Sequence, residues 1–215
     1  MELSSILVAV VILLISAVLH EVAHGYAANF LGDPTARMAG RLTLNPLKHI
    51  DPFGSVLLPA LMVMMHSPIL FGYAKPVPYN PYNLRGRYAE AFVAAAGALT
   101  NFCLAIVLGL SIRFFGGGFS AAFLEVVGFA VYINLMLGLF NLIPVPPLDG
   151  AKVLGGILPP GLDLKYREFE RRIAALGPFM GFALVLLVFY LFAPIFSALL
   201  GSLFGGLTGT SLLQL

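Results

Sequence analysis

From Leu3 to Leu19 the chain carries no charged residue, and the apolar character continues with few breaks to Phe30. A run of this length matches the roughly 20 residues that a helix needs to cross the hydrocarbon core of a bilayer. Comparable stretches follow at Tyr88 to Phe115, Phe119 to Ile143 and Ala174 to Leu200. The 215 residues fit one compact unit, and 60% hydrophobic residues against 10% charged ones, with a mean hydropathy of +0.96, lie far from the averages of soluble domains. The expected fold class is therefore an all-α polytopic membrane protein, with a single domain over residues 1–215 and about four full spans at 4–30, 88–115, 119–143 and 174–200. The start Met1-Glu2-Leu3 has no basic residue, so the first run reads as a retained helix and not as a cleaved signal peptide.

Inside the first span stands His20-Glu21-Val22-Ala23-His24. On a helix, positions i and i+4 share a face, so His20 and His24 can point their imidazoles at one ion. Glu21 falls beside them as a general base for water that zinc activates. A His-Glu-His cluster facing lipid is costly, and ionisable groups at membrane depth usually face a bundle interior and mark function. The placement points to metal-assisted hydrolysis within the membrane. Cys103, the single cysteine, excludes an intrachain disulfide and a cysteine-based metal site, and reads as a packing residue.

Basic residues collect in three stretches: Arg37, Arg41 and Lys48; Lys75, Arg85 and Arg87; and Lys152, Lys165, Arg167, Arg171 and Arg172. Positive residues favour the cytoplasmic side. If Gly54 to Leu70 crossed fully, the first two stretches would lie on opposite sides, so that segment is expected to be re-entrant or interfacial, with the N-terminus and the Gly116-Gly117-Gly118 turn outside. The tail from Gly201 reads as a frayed end or interfacial stub. A net charge of +2 without a basic run gives no reason to expect nucleic acid as a partner.

Zinc in a catalytic site needs a third protein ligand and an open position. Asp149 lies just after the proline-rich Asn141 to Leu148 stretch, which ends a helix, and just before Gly150. Two residues near the C-terminal ends of their helices meet only if those helices run the same way, which requires an odd number of intervening spans, and with Gly54 to Leu70 re-entrant there is one. The topology drawn from charge supplies it. By itself Asp149-Gly150 would read as a polar turn. His49 and His66 read as interfacial side chains, and Glu90, Glu125 and Asp51 are weaker candidate ligands without a partner at metal spacing.

Three motifs in order, His20 to His24, Gly97-Ala98-Leu99-Thr100-Asn101, and Asn141 through Asp149-Gly150, resemble the core of the site-2 protease family of intramembrane zinc metalloproteases. The stretch Gly72 to Arg87 resembles the family's compact prokaryotic branch. The resemblance implies one zinc ion held by His20, His24 and Asp149, Glu21 as base, and Asn101 and Asn141 positioning substrate or polarising its carbonyl; read from the residues alone, Asn101 equally fits a packing amide bonded across helices and Asn141 a helix-end hydrogen bond. It implies single-span membrane proteins as substrates, cut in or near their transmembrane segments in a prokaryotic inner membrane, with the active site near the cytoplasmic face. A small edge-strand region around Val77 to Tyr82 is expected to hold the opened substrate, although a proline-rich connector also explains that stretch. No PDZ module, cystathionine-synthase-like pair or extra leading span is visible. Oligomeric state has no signal in the sequence. Two other functions fit the composition, a metal-ion transporter and an inactive membrane scaffold. Too few polar residues line the spans for a transport path, no internal repeat is visible, and the presence of Glu21 disfavours both.

Overall fold

The computed structural model describes residues 3–57, 64 and 74–210. Its helices are α1 (Leu3–Phe30), α2 (Thr35–Met38), α3 (Ala89–Phe115), α4 (Ala121–Asn141), α5 (Asp149–Ile157), α6 (Leu162–Ala175) and α7 (Pro178–Thr208). Among the described residues there is no β-strand. Four segments are long and apolar enough to cross a membrane: Ile6–Phe30, Ala89–Gly118, Ala121–Asn141 and Ala183–Thr208. The molecule is thus an all-α, multi-pass membrane protein. Large apolar side chains such as Val10, Leu187 and Leu191 are exposed along these helices, as lipid contact requires.

The ends of the helices follow local chemistry. Ser120 caps α4 by accepting the Phe123 N–H at 3.3 Å. Gly177, at φ 87°, breaks the chain between α6 and α7, and Pro178 begins α7 where a missing N–H costs nothing. The fourth span therefore starts later than the expected 174. It also ends later, because the helix runs on through Gly201, Gly205 and Gly206 to Thr208 where a frayed stub was expected. In an apolar medium the backbone has no competing partner, which keeps glycine helical. The stop comes at Gly209, which adopts φ 78° and donates its N–H to Gly205 O at 2.9 Å.

Two apolar clusters hold the bundle. At the end far from the histidines, Ala105 and Ile112 of α3, Val131 and Leu135 of α4, and Leu200 and Phe204 of α7 are buried together. At the other end, Ala27 and Ala28 of α1 meet Val93 of α3. Small residues on α3, including Ala94, Gly97 and Ala98, let the backbones of α1 and α3 approach closely. Cys103, expected in the packing, is instead exposed on α3.

Beyond α1 the chain returns to the side it left. Arg85 donates its backbone N–H to Leu31 O at 2.9 Å, so α3 starts where α1 ends. The expected re-entrant segment 54–70 lies outside the described residues, apart from the π-helical turn Pro52–Leu57 and Met64. The expected edge strand is not formed: 74–80 is irregular and Pro81–Asn83 is a short 3-10 turn. Pro76, Pro78 and Pro81 remove the donors that a ladder would need.

Asp33 ties this return segment to the end of α1. Burial alone raises its carboxyl, but hydrogen bonds from Thr35, Asn83 and Asn80 outweigh that and hold it below the ordinary carboxylate value. A depressed folded-state value contributes stability above the unfolded pKa and loses it as pH falls through the folded one. Asp33→Asn is therefore expected to lower the thermal midpoint in detergent at pH 7, with a deficit that shrinks below about pH 4. A deficit constant down to acid pH would contradict this.

Candidate metal centre

His20 and His24 lie one turn apart on α1, both buried, with ring centroids 4.7 Å apart at 83° to one another. Asp149 opens α5. It reaches them because the Asn141–Gly150 loop folds back onto the end of α4: a Cβ on Gly150 would lie 2.3 Å from Leu142 O, so only glycine fits there. Asp149 Oδ2 is then 3.0 Å from His20 Nε2 and 3.2 Å from His24 Nε2. The three groups, each offering one atom, lie within 4.8 Å of one another.

Both rings are fixed from behind. The His20 Nδ1–H donates to Asn101 Oδ1 at 2.6 Å, and the His24 Nδ1–H donates to Val93 O at 2.7 Å. With Nδ1 used as donor in both rings, Nε2 of each faces the carboxylate. Three potential ligand atoms this close could be shared by one cation. The donor set of two imidazoles and one carboxylate suits zinc, and Gly97 keeps the space open: a Cβ there would fall 2.5 Å from His24 Nε2 and 2.6 Å from His20 Nε2. The residues present fit the ion.

Asn101 is fully buried, and its carboxamide is spent inside the protein. Besides accepting from His20, it donates through Nδ2 to Asn134 Oδ1 at 2.8 Å and to Ser16 O at 3.4 Å. Asn134 in turn donates to Ser16 Oγ at 3.0 Å and Ala130 O at 2.9 Å. Of the two readings open from sequence, a substrate contact or a cross-helix amide, these bonds fit the second, and they fix the His20 ring. Asn101→Leu is expected to weaken zinc affinity by about 10–100-fold, as loss of such supporting partners typically does; a metal competition titration unchanged from wild type would contradict it. Asn141 donates Nδ2 to Leu137 O at 3.0 Å within its own helix and does not reach the cluster. The parts that sequence reading missed are Asn134, Ser16 and the Val93 carbonyl. Asn134, an amide in the middle of an apolar helix, was the one available signal.

Glu21 is half-buried beside the histidines and accepts the Val77 N–H on Oε2 at 2.9 Å. The weaker candidates stand elsewhere. His49 is 1% exposed and donates Nε2–H to Thr43 O at 2.8 Å. Glu90 pairs with Arg167 at 3.2 Å, Asp51 accepts the Gly54 N–H at 2.7 Å, and Glu125 is exposed on α4. His66 lies outside the described residues.

The model of peptidase family M50 matches residues 111–160, a stretch that contains Asn134, Asn141 and Asp149. A Bacillus subtilis protein named as a zinc metalloprotease, YwhC, is 37% identical over 169 residues, which is 75% of this chain and 74% of that protein. A Mycobacterium tuberculosis H37Rv protein named as a zinc metalloprotease, Rip2, is 32% identical over 181 residues, 84% of this chain and 65% of the relative. A zinc metalloprotease of Methanocaldococcus jannaschii is 28% identical over 199 residues, 90% of this chain and 46% of its own length. No solved structure matches the chain significantly. With a relative of this identity aligned over most of both chains, the protein belongs to peptidase family M50, the site-2 protease family.

Proposed function

We propose that the protein is an intramembrane zinc endopeptidase, hydrolysing peptide bonds in or near the transmembrane segments of single-span proteins. One observation carries the reading: His20, His24 and Asp149 converge, with Glu21 beside them, at one end of helices long enough to span a bilayer. His20 Nε2, His24 Nε2 and Asp149 Oδ2 would hold one ion. Zinc, when bound there, supplies a Lewis acid that polarises the scissile carbonyl and makes water nucleophilic at neutral pH.

The chain's own residues do the rest. Glu21, held through Oε2 by the Val77 amide, has Oε1 to receive the proton of the attacking water and return it to the leaving amide nitrogen. Asn101 and Val93 keep both imidazoles in the tautomer that leaves Nε2 free for the ion. Every Lys and Arg except Arg113 belongs to the segments at the same end of the bundle as the site, which supports a site near the cytoplasmic face. The family and the name of the Bacillus relative favour a prokaryotic cell membrane.

The test is cleavage of a panel of single-span model proteins by the purified chain in detergent, before and after removal of zinc with a chelator. Cleavage that disappears on chelation and returns with zinc is the expected result. Asp149→Ala should lose both cleavage and bound zinc, and a normal zinc content in that variant would sink the ligand assignment. Zinc-independent cleavage, or zinc binding without cleavage of any panel member, counts against the peptidase reading and favours a scaffold or a metal carrier.

A further inference from the structure

A charge withdrawn from water is costly unless its hydrogen-bonding capacity is used. Outside the metal centre the described residues hold two such side chains, Asp33, 0% exposed, and Arg41, 8% exposed. They form no ion pair with each other. Both bond the segment 74–84, which lies across α1; Asp33 also accepts from Thr35, and Arg41 Nε is buried without a partner. Asp33 Oδ2 accepts the Asn80 N–H at 2.6 Å, and Oδ1 accepts from Asn83 Nδ2 at 2.8 Å and from Thr35 N and Oγ1 at 3.2 and 2.5 Å. Arg41 Nη2 donates to Lys75 O at 2.8 Å and to Pro76 O at 3.4 Å.

The two anchors fall on either side of Val77. Its neighbours are Pro76 and Pro78, which have no N–H, so Val77 carries the one backbone donor of the three. Lys75, Val77 and Asn80 each precede a proline, which biases them toward extended backbone and stiffens the strap. The lone donor goes to Glu21 Oε2. Packing holds it down as well: Val77 is buried, and a Cβ on Gly25, the residue after His24, would meet Val77 Cγ1 at 2.8 Å and Leu42 Cδ2 at 2.6 Å. A glycine beside the metal ligand thus gives the strap room to reach the carboxylate.

We propose that Asp33 and Arg41 are positioning residues for Glu21, acting through the Val77 amide: they pin the strap on both sides of Val77 so that its N–H holds one carboxylate oxygen and aims the other at the reacting water. The inference rests on Glu21 being the base. Neither anchor touches His20, His24 or Asp149, whose supports come from α3 and the Asn141–Gly150 loop. Loosening the strap therefore lowers kcat and leaves zinc content and KM in place.

Hydrogen exchange of the 74–84 peptide in the detergent-purified full chain reads the contact without any substrate. Asp33→Asn and Arg41→Met are each expected to speed exchange of the Val77 amide about tenfold or more, because a locked strap opens only by local unfolding. Glu21→Ala should do the same while the anchors stay intact. Unchanged Val77 exchange in both anchor variants overturns the proposal. Kinetics on a single-span reporter cut by wild type supply the second arm. Both anchor variants should lower kcat about tenfold, as a small misplacement of a reacting group does, with zinc content and KM within about twofold of wild type. Arg41→Lys, which keeps a charged donor, should recover part of the loss. Val77→Pro removes the donor itself, so the double variant with Asp33→Asn should be no slower than Val77→Pro alone. Additive losses, or zinc lost along with kcat, make the anchors merely structural and overturn the proposal. Full turnover by Glu21→Gln would bring down the base assignment while the exchange result stood, which keeps the two failures apart.

Discussion

Glu21→Gln is expected to abolish measurable turnover in the purified protein while its zinc content stays that of wild type. The amide keeps the size of the carboxylate and can still accept the Val77 N–H through its oxygen, so the strap has no reason to move. The ligands are equally untouched, because His20 and His24 are held from α3 and Asp149 from its own loop. Only the ability to take a proton is removed, and general-base catalysis is typically worth about 10²–10⁴-fold. The variant separates the competing functions. A peptidase loses cleavage and keeps its metal, whereas a carrier that merely passes the ion is indifferent to the change. Turnover within about tenfold of wild type would exclude Glu21 from the role of base.

Gly97→Ala is the second large expected effect, and it acts through space alone. The added Cβ would lie 2.5 Å from His24 Nε2 and 2.6 Å from His20 Cε1 and Nε2, far inside contact distance. The rings have little freedom to yield, since Asn101 and Val93 hold their Nδ1 atoms and Asp149 stands on the other side. Overpacking of this kind costs about 1–3 kcal/mol, which spent against the ion is about tenfold to a hundredfold in zinc affinity. Displaced ligands then misplace the ion relative to Glu21, at a further cost of up to about 10²-fold in rate. Zinc titration and cleavage should fall together. Full zinc affinity with full activity in Gly97→Ala would show that the rings are not confined as the structure has them. Gly97→Ser should be at least as damaging, because the collision is with Cβ and not with anything beyond it.

Much of this protein was legible in its sequence because the decisive signals are local. An apolar run of span length has to become a helix in lipid, and His20 and His24 share a face by the helical repeat alone, with Glu21 next to it. The ends of the spans are also local, since Ser120, Gly177-Pro178 and Gly209 act through nearest neighbours, but those stops were not read from the sequence. The start and end of the last span were misplaced for a related reason. Glycines at 201, 205 and 206 weaken a helix in water, but inside an apolar medium they have no better partner than the helix itself. Asp149 was reachable by parity, since both ligands sit near helix ends that must face the same side.

What the sequence by itself determined was therefore the set of helices long and apolar enough to cross a membrane and the pair of histidines with Glu21 next to them. Only the tertiary structure decided that Asn101 bonds His20, that Gly97 marks the space between two rings, and that Val77 bonds Glu21 while Asp33 and Arg41 bond the chain on either side of it. The reason is separation along the chain. His20 and Asp149 meet across 129 positions, and Glu21 and Val77 across 56. No periodicity reports a contact between residues so distant; close packing of α1 against α3 brings the polar groups together, and hydrogen bonding inside a dry interior then selects which of them pair.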